Sequence, residues 1–283
     1  MRVSRVLDLA AYVYSADITD FETTYADVAE AGFHAVVLGL QRGQFDLRVP
    51  EQAQEAGRIL ERLGLKGSAC HGLDTGPGAM NDPDEAARTA LTQAHAGLME
   101  STAAIGARTY VLHIGPVLAG EPREASWERV RRCVDELAPR AEALGVALAL
   151  ENGLPDYVMT NEELLSFVAG FAHPAVGICY DSGHAHVTGD AAAVLRMFAP
   201  YVVTVHLHDN DGTADQHLMP GQGTIGWPAV VAELANCPRL VHAEVEAVNS
   251  AQWPPTPEVW PQRRVYECYM EVLNVPETGV EYR

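Results

Sequence analysis

The sequence predicts an α/β chain folded as a single (β/α)8 TIM barrel, and three observations carry that expectation. Short β-branched, apolar runs alternate with longer amphipathic stretches along all 283 residues. The short runs are mostly continuous rather than alternating in polarity, as in parallel strands covered by helices. No GxGxxG follows the first run, so a dinucleotide-binding open sheet has little support against a closed barrel.

Taken in order, strands are expected at 2–10, 34–40, 66–71, 109–114, 146–151, 176–181, 202–208 and 240–245, where apolar and β-branched residues cluster. Helices are expected between them. Residues 18–31 follow Asp17, an N-cap type, and stop at Gly32; residues 50–63 open on Pro50 and stop at Gly64. Residues 82–105 open at Asp82-Pro83 and stop at Gly106, and residues 126–144 stop at Gly145. The later helices are expected at 161–169, 190–199, 227–235 and 258–273. The proline-rich stretch 249–261 reads as a loop after the last strand, and no linker divides the chain, so residues 1–283 are expected to form one domain.

Composition narrows the partners. Nineteen Lys and Arg against 38 Asp and Glu give 19 − 38 = −19. That balance repels polyanions, and the only basic pairs, Arg131-Arg132 and Arg263-Arg264, sit in helical patterns. Nucleic acid is therefore disfavoured. Nothing resembles a signal peptide, and no apolar segment approaches the roughly 20 residues of a membrane span. Five scattered cysteines without a CxxC pair suit a reduced, cytoplasmic protein.

The chemistry gathers at strand ends. In the stretch 202–227 a buried run breaks into His206, His208, Asp209 and Asp211, followed by Asp215, His217 and a glycine-rich turn. Earlier strands end in His71, in His113, in Glu151-Asn152, and in Asp181-Ser182-Gly183-His184; the last carries Glu244 and Glu246. A barrel presents these ends at one mouth. Carboxylates cannot stand unpaired there, because desolvation costs several kcal/mol each. A divalent cation removes that cost, and mixed imidazole and carboxylate donors suit Zn, Mn, Fe or Co. The set is too large for one ion and would fill two or three sites if carboxylates bridge them.

The segments LEN at 150–152, YDSGHAH at 180–186, and HLHDNDG with DQHLMPGQGTIGW in 206–227 give the chain a family likeness. It resembles the xylose-isomerase-like TIM barrels, a superfamily that includes sugar-phosphate isomerases and epimerases and endonuclease IV, over essentially its whole length. By resemblance to the single-metal sugar epimerases, Glu151, Asp181, His206 and Glu244 would bind one Mn or similar ion, and Glu151 and Glu244 would be the acid/base pair. By resemblance to endonuclease IV, three zinc ions would be held: one by His71, His113 and Glu151, one by Glu151, Asp181, His206 and Glu244, and one by His184, Asp215 and His217. His208 could stand in for His206, and Glu246 for Glu244, since residues two apart on a strand face the same way.

The function expected is a metal-dependent isomerase or epimerase of a sugar, sugar phosphate or polyol, with one to three divalent ions (Zn or Mn). The alternative is a multinuclear zinc phosphoesterase. Long DNA-bending loops and a basic groove are missing, which favours a small sugar-like substrate. His208, Arg42 and Trp253 are candidates to touch it, with Tyr12, Phe45 and Trp260 as further walls. Related barrels form homo-oligomers, although no apolar surface stripe commits this chain to one.

Overall fold

A computed structural model describes residues 8–13, 17–39, 42–72, 79–247 and 261–273. Eight parallel strands close into a barrel. In chain order the elements are β1 (Asp8–Tyr12), β2 (Asp17–Ile18), α1 (Phe21–Ala31), β3 (Ala35–Leu38), β4 (Arg42–Gly43), α2 (Pro50–Arg62), β5 (Lys66–His71), α3 (Glu85–Ile105), β6 (Thr109–Leu112) and α4 (Arg123–Leu144). They continue with β7 (Ala147–Glu151), α5 (Asn161–Phe171), β8 (Val176–Asp181), α6 (Ser182–Thr188), α7 (Ala191–Phe198), β9 (Val202–Leu207), α8 (Trp227–Leu234), β10 (His242–Val245) and α9 (Gln262–Val272). Around the barrel the order is β1-β10-β9-β8-β7-β6-β5-β3, while β2 and β4 form a separate two-stranded sheet.

The two-residue period of a strand decides what lies inside. In Ala147–Glu151, Leu148 and Leu150 point outward into the main core shared with the helices, whereas Ala149 joins an inner layer of Ala10, Ala35, Val37, Ala69, Val111, Cys179 and Val203. Two residues further along the same inward faces come His71, Glu151 and Asp181. Small side chains thus fill the middle of the barrel, and ionisable ones crown it.

Helix punctuation follows the expected chemistry with shifts of a few residues. Asp20, not Asp17, caps α1 through Thr23 N; Asp17 instead belongs to β2. Asp84, not Asp82, caps α3. Gly32, Gly106 and Gly145 end α1, α3 and α4 with left-handed backbones, φ 110, 93 and 66°. Thr160 and Glu163 close a reciprocal capping box on α5. Strand β1 runs on to Tyr12, two residues past the expected end. Helix α6 is an addition, since no helix is expected between the strand at 176–181 and the helix at 190–199. No helix among the described residues is long and apolar enough to cross a membrane.

Candidate metal centre

Glu151 ends β7, Asp181 ends β8, His206 lies one residue before the end of β9, and Glu246 follows β10. Parallel pairing sets their heights: Asp181 is in register with His206, and Glu246 N donates to Leu207 O at 2.9 Å. His206 Nδ1 then sits 3.0 Å from Glu151 Oε1, 3.2 Å from Glu246 Oε2 and 4.0 Å from Asp181 Oδ2. One donor atom from each of the four lies within 4.8 Å of the others. None of the four is more than 3% exposed.

Three carboxylates and one imidazole buried together need a compensating positive charge. Burial alone would raise Glu151, but His206 and His113 beside it hold its carboxyl well below the ordinary range. Burial likewise pulls His206 down, yet Cys179, Glu246 and Glu151 around it drive the imidazole well above its usual value. The hydrogen bonding of the cluster is incomplete. Glu151 Oε2 approaches His113 Nε2 at 2.7 Å and His71 Nε2 at 3.7 Å without hydrogen-bond alignment to either. His206 Nε2, His208 Nδ1 and Asp215 Oδ1 are also buried without a hydrogen-bond partner. Converging lone pairs left unsatisfied in this way fit a divalent ion held by nitrogen and oxygen donors. Cys179 Sγ also lies within reach of Glu151 and His206, and burial raises its thiol well above the normal range.

Two further groups flank the quartet. His71, His113 and Glu151 converge on one side. On the other, Asp215 Oδ2 lies 3.0 Å from His217 Nε2 and 3.4 Å from His184 Nε2. Helix α6 positions His184: Asp181 accepts from its backbone N at 2.6 Å, and its Nδ1 contacts Asn152 O at 2.8 Å. The loop beyond β9 is tied down by Asp209. Its carboxylate accepts from Asn210 N, Gly221 N, Ile225 N and Trp227 Nε1 at 2.9, 2.8, 3.1 and 3.0 Å. His217 adopts a left-handed backbone, φ 49°, that turns its ring onto His208.

The structure brings most of the sequence-derived candidates to one mouth and places two of them apart from the quartet. Glu244, expected as a ligand with Glu246 as its possible stand-in, lies two residues earlier on the same face of β10, and Glu246 is the one with a donor atom within 4.8 Å of those of Glu151, Asp181 and His206. His208, expected to touch substrate, is fully buried: its Nε2 lies 3.1 Å from Asp181 Oδ2 and its ring stacks on His217 at 4.0 Å. Gly183 leaves room for that ring, since a Cβ there would come within 1.9 Å of His208 Cε1. Phe45 packs on Phe21 in the core. Trp253, Trp260 and the Arg42 side chain lie outside the described residues. Tyr12 does stand at the mouth, its ring 6.0 Å from His71 and 6.4 Å from His206. Sequence reasoning missed Tyr157, whose ring lies 6.2 Å from His113 and 6.1 Å from His184. Its signal was Gly153, where a Cβ would meet that ring at 2.0 Å. It also missed Asn152, which brackets Asp181 by donating to its O at 3.1 Å and accepting from its N at 2.7 Å.

Residues 25–263 match the model of the xylose isomerase-like TIM barrel family. The chain belongs to that family. Among the curated relatives, the rhizopine catabolism protein MocC of Rhizobium meliloti is 28% identical over 254 residues, 77% of this chain and 71% of that protein. Other curated matches are partial: the chain spans 46% of the length of an uncharacterized Sinorhizobium fredii protein and 36% of one from Methanocaldococcus jannaschii. D-psicose 3-epimerase of Clostridium cellulolyticum H10, solved with D-tagatose, superposes with a TM-score of 0.75 at 17% identity, covering 95% of this chain and 97% of that one. IOLI protein, solved with a zinc atom, superposes with a TM-score of 0.77 at 19% identity over 95% and 98% of the two chains. At these identities the superpositions speak for the barrel alone.

Proposed function

We propose that this xylose isomerase-like barrel is a metal-dependent isomerase or epimerase of a keto-sugar or related polyol. The observation that carries the reading is the quartet Glu151, Asp181, His206 and Glu246, with two glutamates reaching one point from β7 and from beyond β10. A divalent transition metal bound there supplies a Lewis acid that acidifies the C–H beside a substrate carbonyl. Glu151 and Glu246 reach His206 Nδ1 from different strands, β7 and the end of β10, which suits a proton leaving to one carboxylate and a proton returning from the other. If they meet opposite faces of the sugar, the carbon inverts. Tyr12 and Tyr157, both half-buried beside the cluster, are walls for a small ring. MocC, D-psicose 3-epimerase and the zinc-bound IOLI protein make a small-molecule reaction at such a centre reasonable, and the net charge of −19 disfavours a nucleic acid in it.

The test is solvent exchange. Protein loaded with Mn and incubated with 2-ketohexoses, 2-ketopentoses and cyclic polyol ketones in D2O is expected to place deuterium beside the carbonyl and to yield the epimer or isomer. No exchange with any of them would remove this reading.

A second reading, a multinuclear zinc phosphoesterase, draws on the flanking groups at His71-His113-Glu151 and His184-Asp215-His217. Cleavage of a phosphodiester or of abasic-site DNA by the Zn-loaded protein, without solvent exchange into ketoses, would select it.

A further inference from the structure

Glu244 stands outside the quartet and yet is only 1% exposed, in register with Ala10 on one side and His206 on the other. One of its oxygens is anchored: Ser68 Oγ, from β5 across the barrel, donates to Glu244 Oε1 at 2.5 Å. The other, Oε2, is buried without a hydrogen-bond partner and faces His206 Nε2 at 3.7 Å. His206 Nε2 is itself buried and without one. The opposite ring nitrogen, Nδ1, is the one aimed at Glu151 and Glu246.

A neutral imidazole that gives a lone pair from one nitrogen carries its proton on the other. That proton needs an acceptor, and Glu244 Oε2, 3.7 Å away, is a carboxylate oxygen that a small side-chain shift would bring within reach of it. We infer that Glu244 is a positioning residue, held by Ser68, that fixes the tautomer and tilt of His206 so that Nδ1 presents its lone pair to the ion. Carboxylates behind metal-bound histidines act in this way elsewhere, and their loss weakens metal binding about 10–100-fold. The inference rests on the quartet being a metal site, but not on the reaction proposed for it.

The experiment is a titration of the full-length, chelator-stripped protein with Mn2+ alone, read by calorimetry, beside thermal unfolding of the same metal-free samples. Glu244→Met and Ser68→Ala are expected to weaken Mn2+ binding about 10–100-fold and about tenfold, while Glu244→Gln, which keeps an acceptor in place, recovers most of the loss. Metal-free Glu244→Met is expected to melt no lower than wild type, since a buried, half-satisfied carboxylate has been removed. Unchanged affinity in Glu244→Met and Ser68→Ala overturns the inference and leaves the proposed reaction standing. Weakened affinity in a protein that exchanges no ketose proton supports the inference and removes the reaction. Wild type that binds no Mn2+ overturns both.

Discussion

Glu151 Oε1 and His206 Nδ1 meet at 3.0 Å, on residues no more than 2% exposed. A carboxylate and an imidazole so deeply buried serve either as an isolated ion pair or as two ligands of one ion. The additional approach of Glu246 Oε2 to the same nitrogen, at 3.2 Å, favours the second.

Glu151 and Glu246 are proposed both to hold the ion and to move the proton, so removing the charge at either should cost turnover. Glu151→Gln and Glu246→Gln are each expected to lower turnover by about 10²–10⁴-fold, the range of a lost general acid or base. Steady-state kinetics on the best substrate from the exchange screen checks this. Near-wild-type turnover in either variant takes that glutamate out of the proton transfer.

Asp209 organises the loop rather than the chemistry. Its side chain satisfies three backbone N–H groups and the Trp227 indole, so Asp209→Ala leaves four donors without an acceptor. The expected loss is at least about 3 kcal/mol, at roughly 1 kcal/mol or more per stranded donor. Equilibrium urea unfolding measures it. A loss below about 1 kcal/mol would show that the loop is held by other contacts.

His95, 2% exposed on α3 with its Nδ1 2.8 Å from Tyr110 Oη, gives a pH prediction away from the quartet. Burial pulls its imidazole down to about 4. The unfolded chain takes up this proton near the ordinary value of about 6.5, the folded chain only near 4, so low pH favours unfolding. The stability present above pH 6.5 is expected to fall by up to about 3 kcal/mol as pH drops from 6.5 to 4. Urea midpoints of wild type and His95→Gln across that window measure it. The wild type should fall more steeply, and parallel curves would contradict the assignment.

How much was legible in the sequence follows from what a strand period encodes. Strands 66–71 and 176–181 emerge with the expected ends, because an apolar run stops abruptly at His71 and at Asp181. Bringing His71, Glu151, Asp181 and His206 to one mouth needed only the barrel and the period. The same period made Glu244 and Glu246 indistinguishable, since they face one way and only the depth of β10 ranks them. The burial of His208 was hidden for a related reason: Gly183, which makes room for its ring, is far off in order, and the left-handed backbone that stacks His217 on it leaves no mark in composition. Helix α6 is seven residues long with a glycine second, too short for a periodic signal.

The most direct measurement is anomalous diffraction from crystals of the protein reloaded with Mn after chelation. One peak is predicted, in contact with Glu151, Asp181, His206 and Glu246. Peaks also at His71-His113 and at His184-Asp215-His217, or none within the quartet, would contradict a single-ion centre.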